Sequence, residues 1–238
     1  MTDLREATFV PTGDRVLERG AVRRAPAVPR KSTSDELLRR AVDVLLATAV
    51  LAVLAVPMLL IAACIRVSSR GPALFRQQRV GLNGRTFTCY KFRTMRVGGS
   101  DAAHRDMIAR ELRGEDTKVD GSCKLHADPR VTRVGAWLRR TSIDELPQLI
   151  NVLRGEMALV GPRPCLEWEA EMFPPEFHDR FAVLPGLTGL WQVSGRSTMG
   201  TLDMLRLDVE YVRRRTTWLD LKVLASTLPA LLRDDGAR

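Results

Sequence analysis

From Ala41 to Ile65 the chain is apolar at nearly every position, and Asp43 is the only charged residue in the run. A core of modest size does not normally bury such a segment, and about 20 apolar residues are enough to cross a bilayer. The chain therefore belongs at a membrane. Pro57 falls in the middle, where a missing backbone donor favours a kink or break. Arg39 and Arg40 precede the run; Arg66, Arg70, Arg76 and Arg79 follow it. Lys and Arg prefer the cytoplasmic side, so a full span would strand one cluster on the wrong face. The expectation is a re-entrant membrane helix within residues 34–70, bent at Pro57, with a single span as the alternative.

The rest of the chain divides around that segment. Residues 1–33 are rich in Arg, Pro, Thr and Ala without apolar periodicity, which predicts a disordered basic tail, and no apolar stretch near their start marks a secretory signal. Residues 71–238 form the expected catalytic domain on the cytoplasmic face. Its fold class is mixed α/β, mainly helical, with a small β-hairpin or sheet. The hairpin is expected between Leu74 and Met95, turning at Gly81-Leu82-Asn83-Gly84. Trp218 to Leu232 is amphipathic, and suits an interfacial helix or core packing.

The net charge of +9, from 37 basic and 28 acidic residues, calls for an anionic partner: a phosphorylated substrate, a membrane surface or nucleic acid. Cys64, Cys89, Cys123 and Cys165 lie far apart, without metal-ligand spacing or a disulfide framework, as in a reducing compartment. His104, His126 and His178 are scattered and read as surface or loop residues.

Ser142-Ile143-Asp144-Glu145-Leu146-Pro147-Gln148 carries the strongest chemical signal. Leu146, Leu149, Ile150 and Leu153 recur at helical spacing, Arg154-Gly155 supplies a stop, and Ser142 with Glu145 has the spacing of a capping box. Acidic residues are routine in a helix's first turn, where unpaired N–H groups attract them. The same physics can hold a nucleophilic carboxylate ionised beside a bound phosphate. Context decides between the two. In Tyr90-Lys91-Phe92-Arg93-Thr94-Met95, strand alternation puts Lys91 and Arg93 on one face, as a solvated edge or as two cations aimed at one anion. Arg139 and Arg140 could lie over a phosphate at the helix start or be ordinary surface charge. In Gly161-Pro162-Arg163-Pro164 two prolines stiffen the turn that presents an arginine fork. Pro185 to Arg196 is Gly-rich, and either binds a nucleotide through backbone N–H groups, Gln192 and Arg196 or is a turn-dense connector.

In their order, Lys91-Phe92-Arg93-Thr94-Met95, Thr141 through Gln148, Gly155-Glu156-Met157, Val160 through Pro164 and Pro185 through Gly189 resemble the bacterial sugar transferases, the monotopic polyprenyl-phosphate phosphoglycosyl transferases, in their minimal form. The resemblance covers roughly residues 36–232. It implies transfer of a sugar phosphate from a UDP-sugar to polyprenyl phosphate with release of UMP, at the cytoplasmic face of a bacterial inner membrane, priming polysaccharide or glycoconjugate synthesis. Asp144 would be the nucleophile and a Mg²⁺ ligand, and Glu145 would assist the second transfer. Lys91, Arg93, Arg139, Arg163, Gln192, Arg196 and Asp208 would contact substrate. UDP-sugar, polyprenyl phosphate and membrane lipid are the expected partners, a homodimer is allowed, and nucleic acid is not expected. The family breaks its membrane helix at a Ser-Pro pair, which is Val56-Pro57 here; Arg40 and Asp43 match a basic–acidic pairing at that helix's start. A glycosyltransferase using Asp-x-Asp is excluded, since no such motif occurs. A membrane-tethered, non-catalytic basic protein is the remaining alternative.

Overall fold

A computed structural model describes residues 32–96, 101–117, 130–195 and 199–233. The expected tail, Cys123, His126 and Arg196 thus lie outside the described residues, apart from Ser32 and Thr33.

The apolar run forms α1 (Thr33–Ser68), 36 residues long and helical through Pro57. The interruption expected at Pro57 is not a break: the ring removes one donor, and the turns on either side supply enough ladder to carry the helix past it. One face of α1 packs on the rest of the molecule, with Ala47 and Ile65 fully buried and Leu51, Met58 and Ile61 partly so. The other faces stay open: Leu45, Leu46, Val50, Val53, Val56, Leu59 and Leu60 are exposed. Covering seven such side chains is worth about 10–20 kcal/mol at 1.5–3 kcal/mol each, as large as the whole stability of a domain. Lipid is the solvent that satisfies them.

The expected hairpin follows as β1 (Leu74–Val80) and β2 (Thr86–Phe92), antiparallel with Phe75 opposite Lys91 and Val80 opposite Thr86. At its turn Asn83 is left-handed (φ 55°), a conformation Asn tolerates better than most residues. Three helices come next: α2 (Ala102–Leu112), α3 (Arg133–Thr141) and α4 (Gln148–Arg154). The stop at Gly155 is as expected, with φ 78°. The buried face of α4 is rotated from the expected one. Leu149 and Val152 enter the core, whereas Leu153 is exposed, because Asn151 turns inward to bond the edge of β2.

Strand β3 (Ala158–Val160) pairs in parallel with β4 (Gly186–Thr188), and α5 (Glu167–Met172) and a 3₁₀ segment, Pro175–Ala182, lie between them. Short α6 (Leu190–Ser194), then α7 (Thr201–Arg214) and α8 (Thr217–Arg233) complete the chain. The main core joins Ala47 of α1, Leu149 and Val152 of α4, Leu159 and Val160 of β3, Tyr211 and Val212 of α7 and Val223 of α8. In the C-terminal stretch the core-packing reading holds at Val223, which α8 buries, while Trp218, Leu221 and Leu228 are exposed. His178, expected at the surface, is buried in the segment before β4, where Nε2 lies 3.2 Å from the Phe173 carbonyl.

Candidate active site

The Asp144-Glu145 pair sits in a tight corner between two helices rather than in the first turn of one. Helix α3 is capped by Thr132, whose hydroxyl accepts from Gly135 N at 2.9 Å. Its first turn lies directly on Thr94, where a Cβ at Gly135 would overlap the Thr94 carbonyl. Ser142 ends α3 in the left-handed region (φ 55°), Ile143–Glu145 make one 3₁₀ turn, and Pro147 leads into α4. No capping box forms. A capping residue needs extended backbone, which a left-handed Ser142 lacks, and the helix proper starts at Gln148 after a proline suited to a first turn.

Glu145 is thereby released to other partners. Its Oε1 accepts from Lys91 Nζ at 2.7 Å and lies 3.4 Å from Arg163 Nη1. Among the described residues nothing hydrogen-bonds to the Asp144 carboxylate. Burial, followed by the charge of Glu145, pushes its pKa from 3.8 up to about 6, against the pull of Lys91, Arg163 and Arg139. Helix-end stabilisation was expected to favour the ionised form; desolvation outweighs it here.

Arg163 is presented as expected, from a turn locked on both sides. Gly161 N donates to the Thr188 carbonyl at 2.9 Å, and Gly186 N to the Pro162 carbonyl at 2.8 Å. A Cβ on Gly186 would overlap Gly161 N and Thr188 O, so two backbones meet where only glycine fits. The Gly-rich stretch thus spends its first backbone N–H on the Pro-Arg-Pro turn. Asp208 is 1% exposed, as is Arg180, which donates to its Oδ2 from Nη2 at 2.7 Å. Arg180 Nη2 also donates to the Arg163 carbonyl at 2.8 Å. Asp208 accordingly reaches the site only through Arg180 and the backbone of Arg163.

Lys91 and Arg93 do not converge on one anion. Arg93 is buried, and its guanidinium donates to the carbonyls of Arg70 and Ser69 and to Ser69 Oγ, closing the end of α1. Strand alternation ends at Phe92, so a parity argument extended one residue too far. Arg139 is exposed on the last turn of α3, near enough to act on Asp144. Gln192 is buried, with Nε2 donating to the Leu187 carbonyl at 3.3 Å and Oε1 unpartnered among the described residues.

A small cleft beside Glu145 is lined by Arg79, Cys89, Lys91, Glu145, Gln148, Arg163, Pro164, Gly186 and Leu187 and does not include Asp144. Arg79 and Gln148 had not been singled out as site residues. Gln148 stands inside the motif, whereas Arg79 reads in sequence as one more basic flank. Its Nη1 donates to the Pro164 carbonyl at 3.2 Å and faces Glu169 at 3.8 Å. The neighbouring thiols are no rival nucleophiles. Burial raises the pKa of Cys89, and takes that of Cys165 to about 11.

The described residues thus place a carboxylate free of donors beside a second carboxylate held between cations, in a domain that carries a long apolar helix suited to lipid. A sequence model of the bacterial sugar transferases matches residues 34–234, and the chain belongs to that family. It is 43% identical over 223 residues to the UDP-glucose:undecaprenyl-phosphate glucose-1-phosphate transferase of Caulobacter vibrioides, covering 89% of this chain and 76% of that one. It is 40% identical over 206 residues to the undecaprenyl-phosphate galactose phosphotransferase of Salmonella typhimurium, covering 86% and 42%. With the exopolysaccharide production protein ExoY of Rhizobium meliloti the identity is 38% over 201 residues, covering 84% and 88%. The chain spans less than half the length of several of its relatives, as in the 42% for Salmonella.

Proposed function

We propose that this chain transfers a sugar 1-phosphate from a UDP-sugar to undecaprenyl phosphate in two displacements. In the first, an Asp144 oxygen attacks the sugar-linked phosphorus, the bond to the bridging oxygen breaks, and UMP leaves with that electron pair. In the second, an oxygen of undecaprenyl phosphate attacks the same phosphorus and the Asp144 carboxylate departs. The observation that carries this reading is the unequal pair: Glu145 is engaged by Lys91 and Arg163, whereas the adjacent Asp144 carries no donor among the described residues. Phosphoryl transfer asks mainly for alignment and for cations at developing oxygen charge. An entering diphosphate competes with Glu145 for Lys91 and Arg163, leaving Glu145 to orient or deprotonate the acceptor phosphate.

The donor set fits Mg²⁺, which takes one or two carboxylates and completes its shell with substrate phosphates and water. Asp144 would hold it, and the ion would neutralise charge on the diphosphate.

The membrane reading is finer than a helix of sufficient length. In it, α1 enters one leaflet of the inner membrane with both ends on the cytoplasmic face. Its support is that both ends touch one folded body: Arg40 donates to the Val152 and Leu153 carbonyls, and Arg93 holds the carbonyls of Ser69 and Arg70. A full span would separate those ends by a bilayer.

Incubation with undecaprenyl phosphate and a panel of UDP-sugars labelled in the β-phosphate tests the function. Wild-type protein should release UMP and pass label to lipid, and Asp144→Asn should do neither while staying folded. Glu145→Gln should retain label on the protein. Substantial turnover by Asp144→Asn would remove Asp144 as nucleophile. No nucleotide release from any sugar would leave a membrane-tethered binding protein.

A further inference from the structure

We propose that Asp43, on the membrane helix, is a positioning residue of the active site: it fixes the strand that leads into the Arg163 turn, so that seating of α1 and assembly of the site are one event. Asp43 is the only charge between Ala41 and Ile65, in a run where a lipid-facing carboxylate is costly. It turns toward the domain, and its Oδ1 accepts from Leu159 N at 3.0 Å.

That amide needs a partner. Strand β3 bonds β4 through Ala158 N, to the Pro185 carbonyl, and just beyond its end through Gly161 N. Alternate residues of a strand point their backbone groups to opposite edges, so Leu159 N faces away from β4. Asp43 takes the place of a missing neighbour strand there. Arg163 lies four residues farther on, at the end of the same short segment.

Arg40 stands almost one helical turn before Asp43, on the same face. Its Nη1 donates to the Val152 carbonyl at 2.6 Å and Nη2 to the Leu153 carbonyl at 2.9 Å. These belong to the last turn of α4, where the Val152 carbonyl also accepts from Gly155 N at 3.0 Å. Two side chains on one face of α1 therefore hold β3 and the end of α4; Arg163 follows β3 by three residues and Glu145 precedes α4 by three, and the two meet at 3.4 Å. A lipid anchor would extend its polar head toward water or headgroups. Asp43 and Arg40 instead bond backbone groups of the folded domain.

The kinetic arm of the test rests on the proposed transferase activity; hydrogen exchange does not. In Asp43→Ala, exchange across residues 158–163 should quicken at least about tenfold, with the 74–92 hairpin unchanged. The kcat should fall at least about tenfold while KM for the UDP-sugar moves less than about threefold. Asp43→Asn keeps an acceptor oxygen and should restore both, and both variants should float with vesicles like the wild type. Should Asp43→Ala fail to accumulate, Asp43→Val gives the same readout with a more lipid-compatible helix. Unchanged exchange at 158–163, an Asn variant no better than Ala, or faster exchange throughout the hairpin as well would each overturn the proposal. A wild-type protein that turns over no UDP-sugar would defeat the proposed function, and exchange would still decide the role of Asp43.

Discussion

In the proposed reaction, Asp144 pulls stability and activity in opposite directions. Its pKa in the folded chain is about 6, against an ordinary 3.8, chiefly because burial disfavours the charge and then because Glu145 adds a like one. The folded chain binds that proton more tightly than the unfolded chain does. Its ionisation therefore weakens the fold as pH rises from about 3.8 to about 6, and protonation relieves the penalty as pH falls. Nucleophilic attack needs the ionised form, so activity should move the other way. We expect kcat/KM for the UDP-sugar to fall tenfold per unit below about pH 6 and to level above it. A profile flat down to about pH 5 would overturn this expectation, because kcat/KM reports groups of the free protein and would place the ionisation of Asp144 lower. At this scale the sequence named the two carboxylates and Arg163. It assigned Ser142 a capping role it does not play, because backbone handedness at one residue decides whether a side chain can reach back.

At the scale of elements, the short parallel pair of β3 and β4 holds the site. Its motifs were legible as Gly- and Pro-rich punctuation, but their pairing was not, since the strands are only three residues each and their starts lie 28 positions apart. Periodicity has nothing to register over three residues. The glycines are informative only once the two backbones touch. Gly186→Ala would force a methyl group against two backbone atoms, neither of which can rotate aside. A loss of more than about 2 kcal/mol is expected, seen as a lower unfolding midpoint in detergent, with Arg163 misplaced and turnover reduced. An unchanged midpoint would mean that β3 and β4 can part without cost. Strand alternation likewise placed Lys91 correctly and failed at Arg93, which lies beyond the strand and is drawn to the open carbonyls at the end of α1.

For the molecule as a whole, the question is how a helix of membrane length is tied to a polar domain. From Arg40 to Ile65 a helix rises about 37 Å, more than the hydrocarbon thickness of roughly 30 Å. Both ends nevertheless rest on the same domain, Arg40 against α4 and Ile65 against Phe92 and Leu138. In a background with Cys64 and Cys123 replaced by serine, Ser34→Cys and Val67→Cys should both react with an impermeant thiol reagent only when the cytoplasmic face is open. Val67 is 90% exposed, so its labelling should not be limited by packing. Labelling of either position from outside intact cells would establish a true span.

The sequence by itself determined the long apolar helix, the hairpin, the order of the motifs and the adjacency of the acidic pair, because each of these is written in neighbouring residues. Tertiary structure alone decided which charges gather beside the acidic pair and which are bonded elsewhere in the fold. Lys91 faces Glu145, Arg93 closes α1, Asp208 is consumed by Arg180, and Asp43 bonds a strand 116 positions away. The reason is physical. A charged side chain takes its role from whatever desolvates and pairs it, and in a chain this basic those partners come from distant segments.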